Sequence, residues 1–460
     1  MSATKTTPEI YTTPNASQET TRKVKKNIGS IRLIFKNLGI LLSGRAINAP
    51  LSIVHTTLAT GLLGIYDFGL LTMVYAFARL IGDVVEFQSW QTVIHYGYQP
   101  FKENHKEQFQ RVIRFSLFLD VSSGIAGTLF GIFFGIFFGY AMNWPTKLSI
   151  IGPAFCIIIL FMTSATAIGI LRLLNRFDLL AIQSVNSTVV RLIGTIIATL
   201  THGTLTDLLI VWVIAEISSF FLLGFLAWKE LDKHHLAKGL LSMRDTKWYF
   251  GKDMTKGLDK VWSFAFTTNI NTTLYLASGQ LVTVIVGSLL GPTSAGIYQI
   301  ANKMAAAFAK PAGLIENTLY PEMTKLWHDK KTKKLYRLAF QITLLAGGVA
   351  TLLMLLAHYI GTPLLAFILH KANNPQAANL MFWLLGAEVI TIWGLPLEPL
   401  LITTRKTRLT LIARGLTTFL FLLLLIITIH HFGLLGIGPA TIFSTLFLLI
   451  LQLLFVLKNR

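Results

Sequence analysis

Charged residues stand inside long apolar stretches of this chain, among them Arg45, Arg79, Arg191, Lys303, Lys310 and Arg414, with Asp83, Glu86, Asp120, Glu216, Glu316 and Glu388. A charge in hydrocarbon costs about 2.5–3.5 kcal/mol unless it is paired or hydrated, so each is a functional candidate by default. Their chemistry is charge recognition or ion relay, not covalent catalysis. Lys303 and Lys310 are seven apart and share one helix face, with Pro311 beside them. A cationic face there, near Arg79, would suit an anionic group such as a pyrophosphate. Arg79 also has Asp83 four residues on, which predicts an i,i+4 pair, and Glu86 extends that stripe by a further turn. Arg191 and Glu216 lie at similar mid-depth in neighbouring spans and are placed to neutralise each other. Asp120 and Arg414 stand about a turn and a half from the ends of their spans, where snorkelling accounts for both. Arg45, two turns in, fits either reading. Asp83, Glu86 and Glu388 are the candidate carriers should transport be coupled to an ion.

The composition says what must position these groups. Of 460 residues, 53% are hydrophobic and 13% charged, about half the charged share of soluble domains. The apolar residues gather in runs of about 20 or more, enough to cross a bilayer. Twelve spans are predicted, near 38–60, 69–92, 115–139, 149–171, 181–201, 208–228, 262–290, 296–320, 338–358, 380–402, 409–430 and 434–457. Of the 40 Lys and Arg, 32 fall in the N-terminal segment, the tail and alternate loops, and only 2 in the opposite loops. That asymmetry predicts both termini in the cytoplasm. It also absorbs the formal charge of +19 into topology, with no need for nucleic acid.

The chain is built twice. Leu62–Gly69 reads LLGIYDFG and Leu289–Gly296 reads LLGPTSAG, 227 positions later, and the register then holds to the following basic loop. Six spans per half make the repeats parallel, related by an axis along the membrane normal. The expected organisation is a tail with an interfacial helix or solvated basic segment (1–36), a first bundle (37–228), a basic linker (229–261) and a second bundle (262–460). Residues 1–21 are polar and Thr-rich, which predicts a disordered tail without a signal peptide. Gly127, Gly131, Gly135 and Gly139 form a ridge for close helix packing. Asn269, Asn271 and Gln280 give the seventh span a polar stripe for a cavity wall. Pro50, Pro311, Pro396 and Pro399 mark kinks or hinges.

Several classes are disfavoured. The sequence carries no GxxxxGK[ST], HExxH, CxxC or GxSxG. His234-His235 and His430-His431 read as interfacial polar residues, and the lone Cys156 as buried and inert. No metal or cofactor site is expected. The longest loops on the side opposite the basic ones, Tyr140–Leu148 and Tyr359–Asn379, contain no Asp or Glu, which weighs against a membrane glycosyltransferase or polymerase.

A span, LLGxxxxG, a second span and a basic loop, in that order, resemble the oligosaccharide (O-antigen, Wzx-type) flippases. Their superfamily also holds the multidrug MATE exporters and the lipid II flippase. The second copy carries the likeness best, in LVTVIVGSLLGPTSAGIYQIANK and then Leu319-Tyr320-Pro321. The first departs from it at Ile65-Tyr66-Asp67 and Ile94-His95-Tyr96. The resemblance implies an all-α polytopic fold, two six-helix bundles around a central cavity. It implies a transporter, not an enzyme, in the inner membrane. Such a protein would flip a polyprenyl-pyrophosphate-linked oligosaccharide for surface polysaccharide such as lipopolysaccharide O-antigen, among membrane lipids and beside other polysaccharide-assembly membrane proteins. Arg45, Arg79, Lys303 and Lys310 are the expected pyrophosphate contacts. A MATE-like exporter of cationic drugs is the alternative within the fold.

Overall fold

The computed structural model describes residues 16–141, 144, 146–240, 255–309, 319, 322–324, 326–327, 329–370, 374–404 and 406–458, with side chains from 47 onward apart from short stretches such as 270–278. Among the described residues all regular structure is helical. The first helix, α1 (Ala16–Val85), already includes 16–21, expected as a disordered tail. It consists of two helical arms joined at Gly64, whose φ of 74° and ψ of 170° are not helical. Next come α2 (Ser89–Lys102), α3 (Lys106–Ala141), α4 (Thr146–Phe155), α5 (Ile159–Met162), α6 (Ala165–Leu173), α7 (Phe177–Leu200) and α8 (Leu205–Lys233). The second half holds α9 (Val261–Leu290), α10 (Pro292–Ala309), α11 (Thr332–Leu369), α12 (Pro375–Trp393), α13 (Leu397–Thr403), α14 (Thr407–Phe432) and α15 (Ile437–Lys458).

Eight described segments are long and apolar enough to cross a membrane. Two of them, Ile47–Lys102 and Arg408–Lys458, are 56 and 51 residues long, about twice what one crossing needs. With α9 and α10 they bring the architecture to the dozen crossings expected.

The sequence repeat is a structural repeat. Gly291, the counterpart of Gly64, has φ 84° and ψ 172°, so both turns use a backbone conformation open almost only to glycine. The two turns also meet each other. A Cβ added to Gly69 would run into the carbonyl oxygen of Pro292, and one on Gly296 would lie 2.9 Å from the carbonyl oxygen of Ile65. Ile65 and Pro292 are themselves counterparts, so the contact is reciprocal, as a two-fold axis between the halves requires. The largest core cluster is built around it: Leu71 and Ala76 from α1 and Val286 and Ala301 from the second half are fully buried. Ala78 and its counterpart Ala305 are also buried there, at 0% and 1% exposure.

Three predicted spans are broken. The second ends as a helix at Val85 and resumes at Ser89. The fourth is divided among α4, a single 3₁₀ turn, α5 and α6, with Thr163 and Ser164 outside the helices. The tenth is interrupted after Trp393, ahead of Pro396, where a proline cannot complete the helical ladder. The glycine ridge of α3 packs on the fourth span. A Cβ on Gly131 would stand 3.0 Å from Cys156 Cβ, and one on Gly135 3.2 Å from Pro153. Cys156 is fully buried.

Candidate functional site

Between the halves, beside the paired turns, lies a cavity of about 320 Å³. Helical spacing decides which residues reach it. The first arm of α1 presents Ser52 with His55 and Thr56 one turn on, and the second presents Phe68, Thr72 and Tyr75 at successive turns. From α10 come Gln299, Asn302 and Lys303 on the same principle, from α9 Gly279 and Gln280, and from α7 and α8 Thr188, Arg191 and Trp212. Three wall positions are repeat counterparts 227 residues apart, Ser52 with Gly279, Thr72 with Gln299 and Tyr75 with Asn302. The wall therefore uses equivalent sites from both halves, filled with different side chains.

Two cations stand in this wall. Lys303 Nζ donates to Thr56 Oγ1 at 2.7 Å and lies 3.4 Å from the Ser52 carbonyl oxygen, bridging the halves. Arg191 pairs with Glu216 (2.6 Å), and its guanidinium lies 4.3 Å and 4.7 Å from the ring centres of Trp212 and Tyr75. Such stacking holds the planar group in place by cation–π attraction. Tyr75 and Ser187 each direct a hydroxyl to the same Glu216 oxygen, at 3.4 and 3.5 Å. Around this pair three polar atoms are buried without a protein partner: His55 Nε2, Trp212 Nε1 and Arg191 Nε. Buried donors and acceptors are normally satisfied, so three unsatisfied atoms around one ion pair set this region apart from the packed core.

At the end of the bundle where the turns lie, the halves are sealed. Thr60 Oγ1 donates to the Ile368 carbonyl at 2.6 Å, and His370 Nε2 lies 3.0 Å from the Thr57 carbonyl oxygen. His370 also packs over Gly61, where a Cβ would stand 2.7 Å from its Nε2.

The other expected residues are placed as follows. Arg79 and Asp83 form an ion pair of 3.0 Å, further along α1 than the cavity wall. The Glu86 carbonyl accepts from Asn269 Nδ2 at 2.7 Å, so this part of the seventh-span stripe bonds to the first half, while Gln280 reaches the cavity. Glu388 on α12 lies in electrostatic range of Tyr298 on α10. The Arg45 side chain, Lys310, Pro311, Glu316 and the Asn271 side chain lie outside the described residues.

One snorkelling assignment is corrected, that of Asp120. Asp120 is 4% exposed, and its Oδ2 accepts the Thr166 N–H at 2.8 Å; the break in the fourth span brings that N–H to it. Arg414 pairs with Glu398 on α13 at 2.5 Å. Sequence reasoning missed His55, Tyr75 and Trp212. A neutral histidine in the middle of an apolar span was the available signal.

Residues 34–327 match the model of a family described as polysaccharide biosynthesis protein. The chain is 30% identical over 341 residues to the inner membrane protein YghQ of Escherichia coli strain K12, covering 74% of this chain and 93% of that one. Among solved structures, it resembles an inward-facing multidrug resistance MATE transporter of the MOP superfamily, with TM-score 0.72, 13% identity and coverage of 92% and 98%. An outward-facing MATE transporter superposes with TM-score 0.59, 13% identity and coverage of 93% and 94%. The chain therefore belongs to the polysaccharide biosynthesis protein family and has the fold of the MOP-superfamily transporters.

Proposed function

We propose that this protein flips a polyprenyl-pyrophosphate-linked oligosaccharide across the inner membrane by alternating access, for surface polysaccharide assembly. The observation that carries the reading is the cavity wall, where Lys303 and Arg191 stand among unpartnered polar atoms between the two halves. The phosphates meet Lys303 and Arg191 through charge-assisted hydrogen bonds, Arg191 being held flat by Trp212 and Glu216. Sugar hydroxyls exchange their water for Gln280, Gln299 and Asn302, while the lipid tail stays in the bilayer. Arg45 and Lys310 extend the cationic path in this proposal, and both termini are cytoplasmic. The sealed turn end fits an inward-open state, as does the greater likeness to the inward-facing transporter. Flipping needs the halves to part there and close at the basic-loop end. No covalent step is required, so the reading is of a transporter and not an enzyme.

Proteoliposomes loaded with lipid-linked oligosaccharide test it, by following access of an external glycan-cleaving probe. Wild type should move the glycan lipid, and K303A should slow flipping by about tenfold or more, in proportion to ~1.4 kcal/mol per decade, with unchanged insertion. Export of a small cationic dye without movement of the glycan lipid would instead assign the chain to drug export.

A further inference from the structure

Two nitrogen atoms in the cavity wall take no part in the charge network around Glu216. His55, on the first arm of α1, and Trp212, on α8, are 4% and 5% exposed. Their ring centres lie 5.9 Å apart, with the planes tilted by 43°. Neither His55 Nε2 nor Trp212 Nε1 completes a hydrogen bond within the protein. The ring bodies are well used: Trp212 has the Arg191 guanidinium 4.3 Å from its ring centre and the Tyr75 ring edge-to-face at 4.8 Å. That packing does not need the nitrogens. An unpaired buried donor or acceptor is destabilising, so two of them side by side, on helices far apart in sequence, direct attention to a group from outside the protein.

The two atoms and their surroundings narrow that group. An indole N–H only donates, whereas a neutral imidazole nitrogen donates or accepts. Beside them the charge of Arg191 is met by Glu216 at 2.6 Å. Phe68, 3% exposed, and Tyr75 line the same cavity with aromatic rings. A flat, uncharged group with an acceptor, a donor and an apolar end answers all of this, and a secondary acetamide is such a group. Its carbonyl takes the Trp212 N–H, its N–H faces His55 Nε2, and its methyl covers ring carbon. A hydroxyl bonds the nitrogens but brings nothing apolar to the rings. His55 also lies in electrostatic range of both Lys303 and Arg191. A sugar whose phosphates those cations hold therefore presents its nearest substituent, on the ring carbon beside the anomeric one, to this pair. We infer that His55 and Trp212 recognise the acetamido group of a 2-acetamido sugar joined to the pyrophosphate, and so select glycan lipids by their first sugar. Both nitrogens are covered by neighbouring atoms here, and the rings turn toward the sugar as it enters. The inference rests on the flippase reading and adds the residues that choose the sugar.

Two synthetic glycan lipids test it, alike except for a 2-acetamido or a 2-hydroxyl group on the sugar next to the pyrophosphate. Each is supplied to proteoliposomes and its flipping followed over a range of concentrations. Wild type should move the acetamido lipid with a kcat/KM about tenfold or more above that of the hydroxyl lipid, because a site with buried polar groups rejects an analogue that leaves them unpaired. W212F keeps a ring for Arg191 and Tyr75 and removes only the N–H. H55F keeps a flat ring without nitrogen. Each should bring the ratio of the two lipids toward one, chiefly by slowing the acetamido lipid. Equal movement of both lipids by wild type would overturn the inference and leave the flippase reading intact. A wild-type preference retained in both variants, or an equal slowing of both lipids, would overturn it as well and leave the two rings a packing role. Movement of neither lipid by wild type would remove the flippase reading and this inference with it.

Discussion

The two halves share a backbone and differ in chemistry. Gly64 and Gly291 adopt nearly the same non-helical angles, and Gly69 and Gly296 press against each other's turn reciprocally. Most of the polar residues do not repeat, although Thr56 corresponds to Thr283. Lys303 corresponds to Ala76, which is fully buried, Arg79 to Ala306, and His55 to Val282. Tyr75 and Asn302 are counterparts that both face the cavity. Symmetry is thus kept where the halves meet at the paired turns, and lost along the cavity wall. A duplicated scaffold can do this because turn geometry tolerates few residues, whereas cavity positions tolerate many.

The sharpest test of the chemical asymmetry is Glu216. Removing one partner of a fully buried ion pair costs about 3–5 kcal/mol, and the Arg191–Glu216 pair, with side chains 16% and 14% exposed, lies toward the lower end of that range. E216A should therefore lower the melting temperature strongly and stop flipping, while E398A, whose partner Arg414 is 38% exposed on its side chain, should cost at most about 1 kcal/mol. Equal losses, measured by thermal unfolding in detergent, would contradict the assignment of the Arg191–Glu216 pair to a buried cavity wall.

The symmetry of the scaffold is tested by smaller effects. G69L and G296L each force a side chain onto the opposing carbonyl, and overpacking of this kind costs about 1–3 kcal/mol. Both variants should lose melting temperature, G69L the more, because a Cβ at Gly69 meets the opposing carbonyl more closely than one at Gly296. A large loss in one and none in the other would show that the turns are not equivalent.

How much of this was legible beforehand depended on whether the signal was local. The twelve spans and the paired turns follow from hydropathy and from eight residues that recur in register. The Arg79–Asp83 pair follows from helical spacing. What failed needed tertiary knowledge. Asp120 looked solvated by depth alone, because nothing local says that the fourth span opens at Thr163–Ser164 and turns the Thr166 N–H toward it. His55 and Trp212 carry no formal charge, so an inventory of charged residues passed over them, although their unpartnered ring nitrogens help define the cavity. The break in the tenth span was half legible, since Pro396 announced a kink without its extent.

The central claim is that the halves alternate about the paired turns with the cavity between them. It is tested most directly by fastening the sealed end. In G61C/H370C, the thiols replace groups in contact across it. A short, reducible bifunctional cross-linker applied to proteoliposomes should stop movement of the glycan lipid, and reduction should restore it. Undiminished flipping by the fully cross-linked protein would contradict the account.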